Sequence, residues 1–461
     1  MATINKKSPS IYTHEGAKAM RVGAEAQLRR SVMSCLLWER EFYEDGQDIA
    51  QRINDLVQEI PDDDLIGSIA VEARTKQKLR HVPLWIAVCL ARKHSSILRL
   101  LLPKIIQRAD ELTEFLALYW KDGKRPLANS VKKGLAIAFQ NFNEYQLAKY
   151  NRDNAVKLRD VLFLSHAKPK DGVAHYTRKE RKAGMELPPG EGNLLFHKLV
   201  NGQLTTPDTW EVALSAGDDK KASWERLIVD KKLGALALLR NLRNMQEVKV
   251  PDDIIRHAIL DMKTQWVLPF RFLSAARYAP GFEDVLELAM FKSLEGSPKL
   301  PGVTVLLVDN SGSMYSSKVS AKSELTRADA ACALAVLLRE ICEQVRIVSF
   351  AELPSDVPPR RGFALIDAIK ATPSGNTMTG DAIRHCYSKP LDRIIVITDE
   401  QSHQSVQGPP ANVKAYFVNV ASNKNGIGYG PYHHIDGWSE SIVSYIQAVE
   451  GLNAAPDVSE D

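Results

Sequence analysis

Two kinds of periodicity divide the chain. From about Lys18 to Met290, apolar residues recur at spacings of three and four, the pattern of amphipathic helices, and strict alternation is almost absent. The spacing predicts helices over 25–43, 48–60, 63–79, 83–92, 112–120, 130–139, 152–164, 224–230, 233–245 and 251–260. Many are bounded by Pro, Gly, Asp or Asn, residues that start or stop helices. Short helices joined by short loops bury their apolar faces by stacking in pairs, so an all-α array of the α-solenoid kind is expected. No strict repeat period is visible, which leaves a compact irregular bundle as the alternative. The stretch 165–193, SHAKPKDGVAHYTRKERKAGMELPPGEGN, has little apolar content and is predicted to be an exposed loop or insertion.

Around 297–302 the pattern changes. Buried strands are predicted at 303–308, 345–350, 393–398 and 413–420, and helices at 323–344, 362–371, 379–387 and 439–451. Strands alternating with helices give a mostly parallel, doubly wound α/β sheet with helices on both faces. The chain thus divides into a helical part, 1–295, and an α/β part, 296–461. A length of 461 residues agrees with two or three domains.

Composition adds little until charge is considered. Apolar residues at 44% and charged residues at 25% are ordinary for a soluble globular protein. The first residues, MATINKKSPSIYTHEG, are polar, and the longest uncharged apolar run, 82–91, is far short of the roughly 18 residues a spanning helix needs. A cytoplasmic location is expected. The five cysteines are scattered, never in a C-x-x-C pair, and are expected to be small buried apolar residues. Net charge is +4, but residues from Phe291 onward carry −4 and the first 290 carry +8. Residues 121–182 alone hold 15 Lys or Arg against 6 Asp or Glu. A basic focus of this kind points to a polyanion, with a solvated basic face as the plain alternative.

Candidate chemistry is concentrated in the α/β part. The run LPGVTVLLVDNSGSMYSS, 300–317, is a strand that ends in Asp309, Ser311 and Ser313. A second segment, SGNTMTGDAI, offers Thr377 and Thr379, and a third, RIIVITDEQS, ends a strand in Asp399. Parallel strands bring such loops to one rim of the sheet. All the donors are hard oxygens, with no sulfur and no required imidazole. That set suits a divalent cation such as Mg²⁺, which uses one or two carboxylates and keeps some of its waters. A coordination position left by the protein could take a carboxylate or phosphate oxygen from a partner.

The three segments resemble, in order, the metal-ion-dependent adhesion site of the von Willebrand factor A domain. The resemblance implies Asp309, Ser311, Ser313, Thr377 and Asp399 as the metal site. The second loop reads Ser374, Gly375, Asn376 before Thr377 where the family often has two glycines, so Thr379 stays open as the alternative to Thr377. A haloacid-dehalogenase-like phosphatase is a rival with the same strand ending in Asp, but its second Asp is here Ser311. His433 and His434, in YGPYHHIDG, are expected to lie in a surface loop.

The helical part resembles the TROVE family of the Ro autoantigen and its bacterial orthologues. RDVLFLSHAKPK (159–170), LGALALLRNLRNM (233–245) and LPFRFLSAARY (268–278) carry the likeness. The resemblance implies a monomeric ring of HEAT-like helical repeats closed by the A domain. It implies a ribonucleoprotein of RNA quality control that is not an enzyme. Its outer basic surface would hold a small structured non-coding RNA of the Y RNA kind, and its central cavity the single-stranded 3′ ends of misfolded RNA. A 3′ exonuclease such as polynucleotide phosphorylase is the implied protein partner. Lys149, Arg152, Lys157, Arg159, His166, Lys168 and Lys170 are the candidates for the outer surface, with Lys124, Arg125, Lys132 and Lys133 behind them. Arg240, Asn241 and Arg271 are candidates for the inner surface, where arginines paired with acids are the alternative. A metal-dependent protein-interaction scaffold that touches no RNA is the competing reading for the whole chain.

Overall fold

The computed structural model describes residues 11–13, 15–19, 23–33, 46–76, 79–168, 194–215, 219–264, 267, 269–295, 297–316, 325–421, 425–427, 431–437 and 441–451. Strands β1 (Leu300–Asp309), β2 (Cys342–Phe350), β3 (Pro354–Asp356), β4 (Arg393–Thr398), β5 (Lys414–Asn419) and β6 (His433–Asp436) form one sheet in the order β3-β2-β1-β4-β5-β6. Every neighbouring pair is parallel except β2 with the short edge strand β3. The central strands are near-continuous runs of Val, Ile and Leu because helices cover both of their faces. On one face Val305, Leu307, Val348, Phe350, Val396 and Phe417 pack with Ala382, Ile383 and Cys386 of helix Thr379–Tyr387. Helix Arg327–Ile341 also packs against β1 and is buried around most of its circumference, which its run of Ala and Leu allows.

The observed limits of that helix differ from the predicted 323–344 for local reasons. Its start is fixed by a capping box: Thr326 N donates to Asp329 Oδ2 at 2.7 Å, and Asp329 N donates to Thr326 Oγ1 at 3.2 Å. Its end comes at Ile341 because Cys342 and Gln344 pair with Leu300 and Val303 of β1. Sheet pairing overrides the helical periodicity there.

Before the sheet the described elements are helical apart from an isolated bridge between Tyr12 and Lys18. Most predicted helices are present with shifted ends, for example Gly46–Glu59, Asp63–Thr75, His81–Arg92, Ala109–Tyr119, Asn129–Phe139, Ala235–Glu247 and Asp252–Asp261. Helices Leu98–Ile105, Glu144–Tyr150, Leu194–Asn201, Trp210–Ser215, Pro269–Tyr278 and Glu283–Lys292 were not predicted. The predicted helix 152–164 begins only at Leu158, where Asp160 accepts from Lys157 N at 2.9 Å. Residues 34–43 of the first predicted helix, and 169–193 of the predicted loop, lie outside the described residues.

Two compact units result. One unit comprises 50–218; the other comprises 1–49 together with 219–461. The helices after residue 219 join the sheet's unit because their contacts lead there. Arg277 of helix Pro269–Tyr278 donates to Asp329 Oδ2 at 2.9 Å, and Lys370 also pairs with Asp329. Glu287 accepts from Phe363 N at 2.8 Å. Cys89, Cys332, Cys342 and Cys386 are buried thiols, and burial pushes Cys89, Cys332 and Cys386 up to about 12, so they are inert packing residues. Among the described residues no helix is long and apolar enough to cross a membrane.

In the 50–218 unit, helices Leu98–Ile105 and Asn129–Phe139 approach closely at Gly134, where a Cβ would run into the Leu98 carbonyl and the Leu102 side chain. Gly134→Ala is therefore expected to lower stability by about 1 to 3 kcal/mol in urea denaturation, even though alanine favours an isolated helix by about 1 kcal/mol.

Candidate metal centre and basic surface

Asp309 closes β1, and Thr398 closes β4 on the neighbouring strand. From β1 the chain goes to β2 on one side and later to β4 on the other, so the gap beyond β1 and β4 is the topological switch point, where open α/β sheets place ligands. Asp309, Ser311 and Asp399 are buried, and Thr377 is 2% exposed. Asp309 Oδ1 accepts from Ser311 N at 2.9 Å, and Oδ2 accepts from Thr398 Oγ1 at 2.6 Å. The hydroxyls of Ser311 and Ser313 lie 3.2 Å apart. Gly312 N donates to Gly375 O at 3.0 Å, while Ser402 Oγ and His403 N donate to Thr377 O at 3.1 and 3.0 Å. The three loops are thus joined to one another, as the sequence segments required.

The electrostatics fit a cation. Burial, and after it the neighbouring Asp399 carboxylate, push Asp309 up to about 7. Two acids side by side in a dry pocket hold a proton or a counter-ion. Asp309, Ser311, Ser313, Thr377 and Asp399 could supply hard oxygens to a divalent ion with at most two charges from protein, the ligand class Mg²⁺ takes. Among the described residues no three or more His, Cys, Asp or Glu are grouped so as to hold a metal ion. Thr379 lies at the start of helix Thr379–Tyr387 with its hydroxyl buried and without a hydrogen-bond partner. Thr377 is the one whose main chain is bonded to the loop that carries Asp399.

Several residues at the site were not anticipated. Thr398 holds Asp309, His403 Nδ1 accepts from Thr377 N at 3.3 Å, and Glu400 is fully buried against Arg30 at 2.7 Å. Burial would raise the Glu400 carboxyl, but Arg30 and His434 outweigh it and hold it at about 2. His433 and His434 are not in a loop: they belong to β6, where His433 stacks on Tyr416 and His434 reaches Glu400. The signal for a strand was weak because four residues are too few for a pattern. Ser311 stands where the phosphatase pattern has its second Asp, and Glu400, beside Asp399, is engaged by Arg30 and His434.

The basic candidates fall into both units. In the 50–218 unit Lys149 is half-buried over the ring of Tyr150, and Lys157 is half-buried and pairs with Asp153. Arg152, Arg159, His166 and Lys168 are exposed. His166 caps helix Leu158–Ser165 at φ 55, a left-handed C-cap. Lys124 and Arg125 are exposed, and each lies over an aromatic ring, Trp120 and Tyr119. Lys170 lies outside the described residues. In the other unit Arg240 and Arg271 are exposed on helices Ala235–Glu247 and Pro269–Tyr278, which pack together. Crowding by protein, and then the Arg240 charge, lower Arg271 below the usual arginine value. Asn241 is buried and donates to Ala237 O at 2.8 Å, so its role is structural, not that of a surface contact.

Helices followed by a mostly parallel sheet with oxygen-bearing loops at its switch point define a helical protein carrying a doubly wound α/β domain. Residues 201–289 match the family model of the TROVE domain. The crystal structure of the Ro (RSR) protein of Deinococcus radiodurans superimposes with a TM-score of 0.59 at 18% identity, covering 94% of this chain and 100% of that one. The chain thus matches the TROVE domain over 201–289 and shares the fold of that Ro protein, in line with the resemblance of its sequence. Arg240 and Arg271 both lie in the matched segment.

The buried acid pair has a measurable consequence. Asp309 has a folded value of about 7 against an ordinary 3.8, so the folded chain holds its proton more tightly. Without metal, stability contributed at this site is present below about 4 and is lost as pH rises to about 7. Thermal melts of the chelator-treated chain should show that loss relative to Asp309→Asn, which has no carboxyl to titrate. Above pH 7, Mg²⁺ should raise the melting temperature of the natural chain and leave Asp309→Asn unmoved.

Proposed function

We propose that this chain is an RNA-binding protein that acts on small structured non-coding RNA and on the single-stranded 3′ ends of misfolded RNA, in RNA quality control or degradation. The observation that carries the reading is the TROVE-domain match, with exposed arginines 240 and 271 inside it and exposed Arg152, Arg159, His166 and Lys168 in the other unit. Guanidinium and ammonium groups bind phosphate without demanding a base sequence, and they release counter-ions when they do so. Arg152, Arg159, His166, Lys168 and, by its position in the sequence, Lys170 take the Y RNA-like partner, whose structured form is recognised by shape and backbone. Lys149 and Lys157, half-buried and already engaged, contribute charge at the edge of that surface.

Arg240 and Arg271 take the single-stranded end. Two arginines close enough to disfavour each other's charge are relieved by a phosphate between them. The chain has no hydrolytic role in this reading; a 3′ exonuclease such as polynucleotide phosphorylase cuts the RNA that it holds, in the cytoplasm. It acts as a monomer. Mg²⁺, held by Asp309, Ser311, Ser313, Thr377 and Asp399, leaves a position for an acidic group of a protein partner.

The second reading, a metal-dependent interaction scaffold without RNA, is favoured by how thoroughly the three loops are bonded together. Titration of a labelled hairpin RNA with a 3′ tail over a range of salt separates the two. Tight binding with a steep salt slope is expected, and replacing both Arg159 and Lys168 by Ala should weaken it and reduce the log–log slope by roughly 1 to 2. Weak binding with no salt dependence would leave only the scaffold.

A further inference from the structure

The loop after β4 is gripped from outside the sheet. Glu400, next to Asp399, has φ 59, a left-handed backbone that a residue with a side chain adopts at a cost. Its carboxylate accepts from Arg30 Nη1 at 2.7 Å, both side chains being fully buried, and it is also met by His434. Gly426 closes the pocket so tightly that a Cβ there would collide with Glu400 and Arg30. The same N-terminal segment reaches the loop again further on. Thr13 Oγ1 and Ala17 N donate to Ser402 O at 2.8 and 3.2 Å, and Glu15 lies 3.1 Å from His403 Nε2. Ser402 and His403 in turn hold the main chain of Thr377.

We propose that Arg30 is a positioning residue for the cation site: by holding Glu400 in its left-handed conformation it aims Asp399 at the site shared with Asp309, with Thr13, Glu15 and Ala17 bracing the same loop. The inference rests on reading Asp309, Ser311, Ser313, Thr377 and Asp399 as cation ligands. A fully buried arginine is a poor way to dock a helix, because its desolvation offsets much of what the ion pair contributes. What it supplies is direction. Groups that orient ligands from behind typically tune metal affinity without touching the metal.

Isothermal titration of the full chain with Mn²⁺, at mildly alkaline pH, tests this. The natural chain should bind, Asp309→Asn should not, and Arg30→Met should bind about 10- to 100-fold more weakly with unchanged far-ultraviolet circular dichroism. Arg30→Lys, which keeps a charge for Glu400, should recover part of the loss. If Arg30→Met does not fold, Thr13→Val takes its place, and removal of its single hydroxyl should weaken binding about threefold or more. A folded Arg30→Met, or Thr13→Val in its stead, that binds Mn²⁺ as tightly as the natural chain overturns the positioning role, even if it melts lower, and leaves the cation site standing. No binding by the natural chain overturns the site and this inference together.

Discussion

Two carboxylates at the ends of adjacent parallel strands are the constraint on which the α/β part depends. The register that sets Val308 opposite Ile397 also sets Asp309 beside Thr398 and the loop of Asp399. Neither acid can withdraw, because each follows a strand whose side chains are locked in the core. The surroundings answer that charge: hydroxyls from Ser311 and Thr398, a main-chain N–H, and loops bonded across to Thr377 and Gly375. In the proposed reading a cation shares this cup, with ligands too few to enclose it, so that one coordination position would stay open.

The helical part has the opposite electrostatic character. The first 290 residues carry +8 and the remainder −4. The two ligands proposed for this chain, RNA phosphate and a partner's acidic group on a metal, are both anionic, but they are met by different means. Arginine and lysine side chains meet phosphate at exposed positions, with affinity that salt can tune. The proposed metal cup would meet a single carboxylate in a buried setting, where geometry decides.

Much of this was legible in the sequence because it is periodic or local. β4 (Arg393–Thr398) and helix Thr379–Tyr387 have the limits their patterns predicted, and the three oxygen-bearing segments lie at the rim that parallel strands imply. The missed helices have ordinary causes: Leu98–Ile105 contains Pro103, and Trp210–Ser215 is too short for a period to register. Gln344 was assigned to a helix because its spacing is helical, whereas its β1 partner lies 41 positions earlier in the chain. The grip of Arg30 on Glu400 was invisible for the same reason, since 370 positions separate the two. A lone arginine in an amphipathic helix carries no mark of a buried partner. His434 was misplaced because its β6 pairing with β5 is determined by the sheet and not by the residues near it.

That RNA is held by the helical elements and not at the proposed metal cup can be tested by ultraviolet crosslinking of a tailed hairpin RNA followed by mass spectrometry of the joined peptides. Crosslinks in the peptides carrying Arg159 to Lys168, and in those carrying Arg240 or Arg271, are the predicted result. Crosslinks confined to the loops of Asp309, Thr377 and Asp399, or no crosslinks above those of a neutral control protein, would contradict it.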